Sequence, residues 1–280
     1  MANIPDTNEV LKHLYISPLE KCNLGCKICY TFKSGDILTN EKILDFVTRY
    51  QKFSSVKTIT FCGGEVFSLV DFPKLVNGLT GKGIFVQVIT NGTIDKLEQF
   101  VNPNFINLIV SLDGLPKYHD KNRGTGNFAK SFSFLQKAKK IGFHTEVFSI
   151  VTRENLSDIE RFEKLVKLPI TYHPRKPMAY LRNHPVSNIV GETKGFSFLT
   201  SAQRARLGAT KKIFPPIGFG CYQISLMSNG VIYGCCEGIT AVGRITDNPK
   251  IIIERFKKRI NDTGCIEPCF MCGYKDKCHS

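Results

Sequence analysis

Short apolar runs alternate with helical patterns along most of the chain. Six runs rich in β-branched residues predict strands, over His13–Ser17, Val56–Phe61, Ile84–Ile89, Ile106–Leu112, Thr145–Val151 and Ile170–His173. Apolar positions at helical spacing predict helices between them, over Asn40–Phe53, Asp71–Gly81, Ile94–Val101, Phe128–Gly142 and Asn155–Val166. The strand runs are continuously apolar and do not alternate between apolar and polar residues, which is typical of a parallel sheet covered by helices. We therefore expect an α/β fold.

The number of strand–helix units narrows the fold class. Six units fall short of the eight that close a full barrel, so the pattern predicts a partial (β/α)6 barrel of the TIM type over residues 1–180. Beyond it, a proline-rich stretch with one helical pattern, Ser201–Lys212, indicates a connecting region over residues 181–218.

The last segment, residues 219–280, predicts a small cysteine-rich C-terminal domain. Its Asn229-Gly230 pair lies between two apolar runs, which is a strong signal for a hairpin. An amphipathic helix is predicted over Ile251–Ile260, ahead of a cysteine-rich tail.

Composition favours a globular protein. The chain has 280 residues, of which 42% are hydrophobic and 22% charged, enough for a packed core and too apolar for global disorder. No run approaches the roughly 18 apolar residues of a membrane span, and the amino terminus lacks the apolar core of a signal peptide. We therefore expect a cytoplasmic protein without a membrane partner, in which cysteines more often bind metals or catalyse reactions than form disulfides.

The charge is strongly positive. Lys and Arg number 38 against 24 Asp and Glu, a formal net charge of +14. Such a charge favours polyanionic partners, which include phosphorylated or nucleotide-linked substrates and nucleic acid. A solvated lysine-rich surface is the alternative, because no basic block is long and no aromatic–basic motif supports nucleic-acid binding.

The cysteines cluster at the two ends of the chain. Cys22, Cys26 and Cys29 follow the first predicted strand, and Cys62 stands alone. Seven more fill the last 60 residues, namely Cys221, Cys235, Cys236, Cys265, Cys269, Cys272 and Cys278. The wide gap between the groups indicates two metal centres.

The first group suits an iron–sulfur cluster. Each iron of a [4Fe–4S] cube needs one ligand besides its sulfides, so three thiolates hold three corners and leave one iron open. Zinc is the alternative, but structural zinc sites favour four ligands, and no fourth cysteine or histidine lies close in sequence.

Further motifs follow the next three strands. They are Phe61-Cys62-Gly63-Gly64-Glu65, Thr90-Asn91-Gly92 and Ser111-Leu112-Asp113-Gly114. Together with the C-x3-C-x2-C triplet they resemble the radical S-adenosylmethionine (SAM) superfamily over residues 14–172. The stretch from His119 to Phe128 resembles the subgroup that carries C-terminal auxiliary clusters.

The resemblance implies a reaction, an electron donor and a set of cofactor-binding residues. In this family SAM binds the open iron, and an electron from the reduced cluster breaks a C–S bond to give a 5′-deoxyadenosyl radical. A reductant such as flavodoxin or ferredoxin would supply the electron. The implied cofactor-binding residues are Ile28, Tyr30, Gly63, Gly64, Glu65, Asn91, Ser111, Asp113 and Arg123. Glu65 and the two glycines would bind the SAM amino group, although Val66 stands where the family usually has proline.

The C-terminal cysteines resemble the SPASM and twitch domains, which hold auxiliary [4Fe–4S] clusters. The implied ligands are Cys221, Cys235, Cys269 and Cys272, with Cys278 and Cys265 as competitors. Two clusters need about eight ligands, so seven cysteines favour one auxiliary cluster. A zinc ribbon is the alternative.

Cys236 and Glu237 are the candidate catalytic residues. Related dehydrogenating maturases carry an aspartate base at the position of Cys236, so its thiol here suggests return of a hydrogen atom to the substrate, as in radical epimerases. A role as a spare cluster ligand is the alternative. We expect Cys62 to be buried packing.

These observations favour a radical SAM enzyme, of the oxidoreductase or maturase type, that acts on a small molecule or peptide. Peptide-modifying relatives often carry an N-terminal peptide-recognition domain, whereas only about a dozen residues precede the first predicted strand here. A leader peptide would therefore need a separate partner protein, which favours a small molecule, such as a sugar or cyclitol, or a short peptide. A peptide- or RNA-modifying maturase or epimerase is the alternative. A non-enzymatic zinc or iron–sulfur module that binds nucleic acid is the alternative of another class.

Overall fold

The structure is a computed structural model, and it describes most of the chain. Residues 1–5, 30, 32, 176–177, 180–187, 190–192, 214–222, 237–239 and 264–280 lie outside the described residues. Among the predicted site residues this applies to Tyr30, Cys221, Glu237, Cys265, Cys269, Cys272 and Cys278.

A sheet of nine strands organises the described chain. The described residues form eleven strands, nine of which belong to this sheet: β1 (His13–Ile16), β2 (Thr58–Phe61), β3 (Phe85–Thr90), β4 (Ile106–Ser111), β5 (His144–Val151), β6 (Ile170–Pro174), β7 (Met178–Ala179), β8 (Asn188–Ile189), β9 (Ile224–Leu226), β10 (Val231–Tyr233) and β11 (Ala241–Arg244). The order in the sheet is β11-β10-β9-β1-β2-β3-β4-β5-β6, and β7 pairs only with β8. Neighbours from β1 to β6 are parallel and follow chain order, which confirms the predicted partial barrel. The sheet does not close on itself.

The described chain has eight helices, and most of them pack buried side chains into the core that they share with the sheet. They are α1 (Thr7–Val10), α2 (Asn40–Tyr50), α3 (Phe72–Thr80), α4 (Pro116–Arg123), α5 (Asn127–Ile141), α6 (Ile159–Val166), α7 (Ser201–Thr210) and α8 (Pro249–Thr263). Thr39 caps α2, where it accepts from the backbone N–H of Lys42, and Gly142 ends α5 in the left-handed conformation. Six of the eight were predicted. In the described residues no helix has the length and apolarity to cross a membrane.

The prediction for Ile94–Val101 is wrong, because only a 3-10 turn, Leu97–Gln99, forms there. The Asp95 carboxylate accepts the backbone N–H of Leu97 at 3.0 Å, and this local bond competes with a regular helix. The α4 helix was missed, because it buries only Tyr118, His119 and Asn122 and so lacks an apolar stripe.

The predicted hairpin forms, but it extends the barrel sheet. Strand β9 pairs in parallel with β1, with Leu14 opposite Ile224, and β10 returns antiparallel through a turn at Gly230. Strand β11, which was not predicted, continues the sheet. Phe256 of α8 is buried in the same hydrophobic core as the barrel helices. The described part of residues 219–280 thus shares the core of the barrel.

The two faces of the barrel strands differ in burial. On β3, Val86 and Val88 point to the helices and are fully buried. Gln87 and Ile89 point to the inside of the barrel and are only half-buried, so the interior is an open cavity rather than a packed core. This cavity is the candidate functional site.

Candidate functional site

The cavity has a volume of about 280 Å³ and runs along the inside of the barrel. One end is lined by Cys22, Cys26 and Cys29, at the carboxyl ends of the parallel strands, where sites of (β/α) barrels belong. The other end is lined by polar side chains near the beginning of β1, including His13 and Gln87.

The three predicted cluster ligands line one cavity. Cys22 and Cys26 are half-buried, and Cys29 is exposed. Backbone N–H groups of Lys27 and Ile28 donate to the backbone and side-chain oxygens of Asn122, at 3.1 and 3.2 Å. The end of α4 therefore fixes the loop between the second and third cysteines.

Asn91, at the end of β3, holds the first cysteine. Its side-chain amide lies 3.8 Å from the Cys22 Sγ and donates to the Asn23 side-chain oxygen at 2.9 Å. The Asn23 amide in turn donates to the Thr93 hydroxyl at 2.9 Å. This network joins the cysteine loop to β3. Neither Asn23, which belongs to it, nor Asn122, which holds the loop from α4, was predicted as a site residue. Asn122 gave no signal beyond its place within the predicted His119–Phe128 motif.

The glycine pair after β2 permits close packing against the cysteine loop. A Cβ atom added at Gly63 would lie 2.1 Å from the Leu19 carbonyl oxygen, and one added at Gly64 would lie 2.0 Å from the Lys21 carbonyl oxygen. Gly63 also has a φ of +145°, which favours glycine. The backbone N–H of Gly64 donates to the Leu19 carbonyl at 3.0 Å. The glycines thus position the segment that leads into Cys22.

Glu65 lies behind the cavity wall and is not among the described residues that line it. Its carboxylate accepts from the Thr90 hydroxyl and the Asn91 N–H, both at 2.7 Å, and from the Phe67 N–H at 3.1 Å. Full burial raises the pKa of this carboxyl, and these bonds oppose the shift. In this arrangement Glu65 positions the Thr90–Asn91 segment.

Asp113 and Arg123 form a buried ion pair. Arg123 Nε and Nη2 donate to the two carboxylate oxygens at 2.6 and 3.1 Å, and the Asn122 amide donates at 2.7 Å. Burial alone would raise the pKa of Asp113, but the Arg123 guanidinium holds it below its usual value. Arg123 lines the cavity, and it is the one Lys or Arg among the described residues that do so; Asp113 does not line it.

The predicted motif from His119 onward supports this ion pair. His119 Nδ1 accepts the backbone N–H of Asp113 at 3.2 Å, and burial lowers the pKa of His119 to about 4. Asp120 accepts the backbone N–H groups of Gly126 and Phe128, both at 2.8 Å, and so fixes the start of α5. Both side chains position elements around Arg123.

The donor set fits an iron–sulfur cluster. Burial raises the pKa of the Cys26 thiol, and nearby Arg123 opposes the shift. In the described chain no three His, Cys, Asp or Glu converge as a single metal ion requires. A tetrahedral zinc needs such convergence on one point, whereas a cube presents a separate iron to each thiolate.

Cys62 and Cys236 also line the cavity. Both pack against Tyr15, Met227 and Tyr233, as expected for Cys62, but both are only half-buried. Cys235 is only 3% exposed and is not among the described lining residues. Cys235 and Cys236 lie in the turn that follows β10, so one neighbouring thiol is buried and the other lines the cavity.

A chain of polar side chains lines the far end of the cavity, which we call the deep network: His13, Thr60, Gln87 and Gln223. His13 Nε2 lies 2.7 Å from the Thr60 hydroxyl and 3.2 Å from Gln223 Nε2, and the Thr60 hydroxyl donates to Gln87 Oε1 at 2.8 Å. Burial lowers the pKa of His13 to about 4, so its ring is neutral at pH 7. These residues were not predicted, and their only signal is a polar side chain in or next to an apolar strand.

Comparisons with known proteins agree with the motifs. The family model described as the radical SAM superfamily matches residues 16–166. GTP 3',8-cyclase of Aquifex aeolicus is 24% identical over 263 residues, which cover 80% of this chain and 82% of that protein. Mycofactocin maturase MftC of Mycobacterium tuberculosis is 28% identical over 155 residues, which cover 51% of this chain and 39% of that protein.

Solved structures share the fold. Native anSMEcpe with bound AdoMet superimposes with a TM-score of 0.72 at 19% identity, over 95% of this chain and 87% of that one. Streptococcus suis SuiB bound to the precursor peptide SuiA gives a TM-score of 0.65 at 14% identity, over 95% of this chain and 70% of that one.

Proposed function

This chain belongs to the radical SAM superfamily of enzymes, and from that premise we propose that it cleaves SAM reductively and uses the 5′-deoxyadenosyl radical to abstract hydrogen from a small-molecule or peptide substrate. One observation carries the proposal. The thiols of Cys22, Cys26 and Cys29 line a single cavity beside Arg123, at the carboxyl ends of the parallel strands. Three thiol donors on one loop suit a cluster with one open iron.

The side chains around the loop hold these ligands in place. When bound, a [4Fe–4S] cluster supplies the electron that breaks the C–S bond of SAM. Asn91 orients Cys22, and Asn122 fixes the backbone between Cys26 and Cys29. The Arg123 guanidinium favours the negative charge of the bound thiolates.

The proposed SAM contacts divide into two groups. Ile28, Gly63, Gly64, Asn91, Ser111 and Arg123 line the cavity and are the proposed direct contacts. Glu65 and Asp113 are fully buried behind them, so we assign them to positioning. Tyr30 stays a proposed contact on the strength of the family motif.

We also propose a SPASM- or twitch-like domain over residues 219–280, after a connecting region over residues 181–218 and a radical SAM core over residues 1–180. Spacing supports one auxiliary [4Fe–4S] cluster, with ligands drawn from Cys221, Cys235, Cys269, Cys272 and Cys278. Such a cluster would accept an electron from the substrate or pass one to it.

Cys236 is the proposed hydrogen donor, with Glu237 as its neighbouring acid–base group. Its thiol lines the same cavity as the three cysteines, which favours an epimerase-type outcome over oxidation. In that step the S–H bond breaks and a C–H bond forms at the substrate radical. The thiyl radical left behind takes one electron, supplied through the reductant, and one proton.

The electron donor proposed is a small acidic redox protein of the flavodoxin or ferredoxin type, in the cytoplasm. Cys29 is exposed, and the exposed side chains of Lys21, Lys27 and Lys33 surround its loop. In the described part of the chain these lysines make no ion pair with a carboxylate, whereas Lys137 pairs with Asp95 and Glu98. An uncompensated positive rim steers an acidic partner to this surface.

Metal analysis after anaerobic reconstitution with iron and sulfide tests the proposal. We expect a brown protein with about eight irons per chain, of which about four are lost when Cys22, Cys26 and Cys29 are replaced by alanine. A colourless protein that holds zinc instead would support the nucleic-acid-binding module.

A further inference from the structure

The deep network indicates what the substrate presents to the far end of the cavity, on the premise of the proposed function. We propose that this end binds an uncharged amide group of the substrate through the side chains of Gln87 and Gln223. The inference rests on three properties of the network, namely its unused amide atoms, its neutrality and the opposite hydrogen-bond polarity of those two atoms.

Each glutamine uses only one of its amide atoms within the network. Gln87 is engaged through Oε1, and Gln223 through the atom that faces His13. The second amide atom of each has no hydrogen-bond partner among the described residues, and both side chains are half-buried in the cavity wall. A half-buried amide without a partner is costly unless a ligand or water completes it.

The described residues at the far end of the cavity carry no charge. His13 is neutral at pH 7, and no Asp or Glu is among the described lining residues. Arg123 is the one Lys or Arg among the described residues that line the cavity. It lies at the cysteine end and forms an ion pair with Asp113. A carboxylate, phosphate or ammonium group would lose its hydration here without gaining a counter-ion. The net charge of +14 therefore does not imply a phosphate-binding site at the far end of the cavity.

The two glutamines leave atoms of opposite hydrogen-bond polarity unused. Gln223 faces the His13 ring with Nε2, a donor, so its Oε1 is the atom left over. Gln87 accepts the Thr60 hydroxyl with Oε1, so its NH2 group is left over. A ligand that both donates and accepts satisfies both of these atoms.

An amide group meets all three conditions. It is uncharged, and it carries its donor and its acceptor on different atoms, so it reaches two separate glutamines at once. A hydroxyl donates and accepts through a single atom. Because the network lies at the far end of the cavity from the cysteines, the amide is a terminal carboxamide rather than a peptide bond in the middle of a chain.

Fragment binding to the full-length reconstituted protein tests the proposal. Butanamide, N-methylpropanamide, butanoate and butylammonium are titrated separately, and ligand-observed NMR measures each dissociation constant at pH 7. We expect butanamide to bind at least about tenfold more tightly than either charged analogue, and more tightly than the secondary amide. Gln87→Glu is expected to shift the preference to butylammonium, and Gln136→Glu on the exposed face of α5 is expected to leave it unchanged.

Equal or tighter binding of butanoate or butylammonium to the unaltered protein would overturn the proposal, as would failure of butanamide to bind. Tighter binding of N-methylpropanamide would point to a peptide bond and overturn the terminal carboxamide. The selectivity of the unaltered protein is decisive even if Gln87→Glu does not fold. These titrations need neither SAM nor reductant, so failure of the proposed function would appear separately, as absence of 5′-deoxyadenosine formation.

Discussion

The side-chain amide of Asn91 lies 3.8 Å from the Sγ of Cys22 and bonds Asn23 at 2.9 Å, so the end of β3 holds the loop that follows β1. Asn91 is itself fixed by Glu65, whose carboxylate accepts its backbone N–H at 2.7 Å. The cysteine loop therefore depends on a buried carboxylate that does not line the cavity.

Asn91→Ala is expected to weaken cluster binding, because Cys22 and Asn23 lose the group that orients them. Loss of an orienting partner typically lowers metal affinity about 10- to 100-fold. Iron retained during titration with a chelator measures the effect. Asn104→Ala, an exposed position before β4, serves as the control, and equal iron retention in the two variants would contradict the account.

Gly64→Ala is expected to destabilise the protein by about 1–3 kcal/mol, because the new methyl group would meet the Lys21 carbonyl. Gly78→Ala is the matched control. A Cβ added at Gly78, on the exposed face of α3, would meet nothing within 4 Å. The substitution is therefore expected to stabilise the helix by about 0.5–1 kcal/mol. Urea unfolding measures both, and a neutral Gly64→Ala would refute the close packing.

Asp113→Asn is expected to lower the free energy of unfolding by about 3–5 kcal/mol, because it leaves the Arg123 guanidinium buried without a counter-ion. The folded-state pKa of Asp113 is lowered, so its stabilisation is present above the unfolded pKa of about 3.9 and is lost as pH falls through the folded value. The variant should therefore lose less stability than the parent on acidification below about pH 4.

The exposed pair of Lys137 and Asp95 provides the comparison. Asp95→Asn is expected to change stability by only about 0–1 kcal/mol, because solvent screens both partners. Denaturant unfolding at a series of pH values separates the two variants, and similar losses would argue against a special role for the buried pair.

Lys21→Glu combined with Lys27→Glu is expected to slow 5′-deoxyadenosine formation driven by flavodoxin, and to remove much of its dependence on ionic strength. Formation driven by dithionite should change little, because a small reductant needs no docking surface. Lys139→Glu with Lys140→Glu, exposed at the opposite end of the barrel, is the control. An equal loss of 5′-deoxyadenosine formation with both reductants would show that the two lysines act on the cluster rather than on the docking of flavodoxin.

The sequence predicted those parts of the fold that depend on local pattern. Continuous apolar runs marked β1 to β6, because both faces of these strands contribute apolar side chains, and the spacing of Cys22, Cys26 and Cys29 marked the loop after β1. The α4 helix was not predicted because most of its residues are polar. Its role in holding the cysteine loop depends on tertiary contacts through Asn122.

Contacts between distant strands could not be predicted in the same way. The family resemblance implied SAM contacts for Glu65 and Asp113, and the structure buries both carboxylates, one against backbone N–H groups and the other against Arg123. The deep network joins His13 to Gln223, two residues that come together only because β9 pairs with β1.

The central claim is tested most directly by 5′-deoxyadenosine released from SAM by the anaerobically reconstituted protein under dithionite, quantified by chromatography and mass spectrometry. The account predicts release by the parent protein and by Cys62→Ala, and a loss of at least about 100-fold in Cys26→Ala. Intact SAM in the presence of the fully reconstituted parent protein, or equal release by Cys26→Ala, would contradict it.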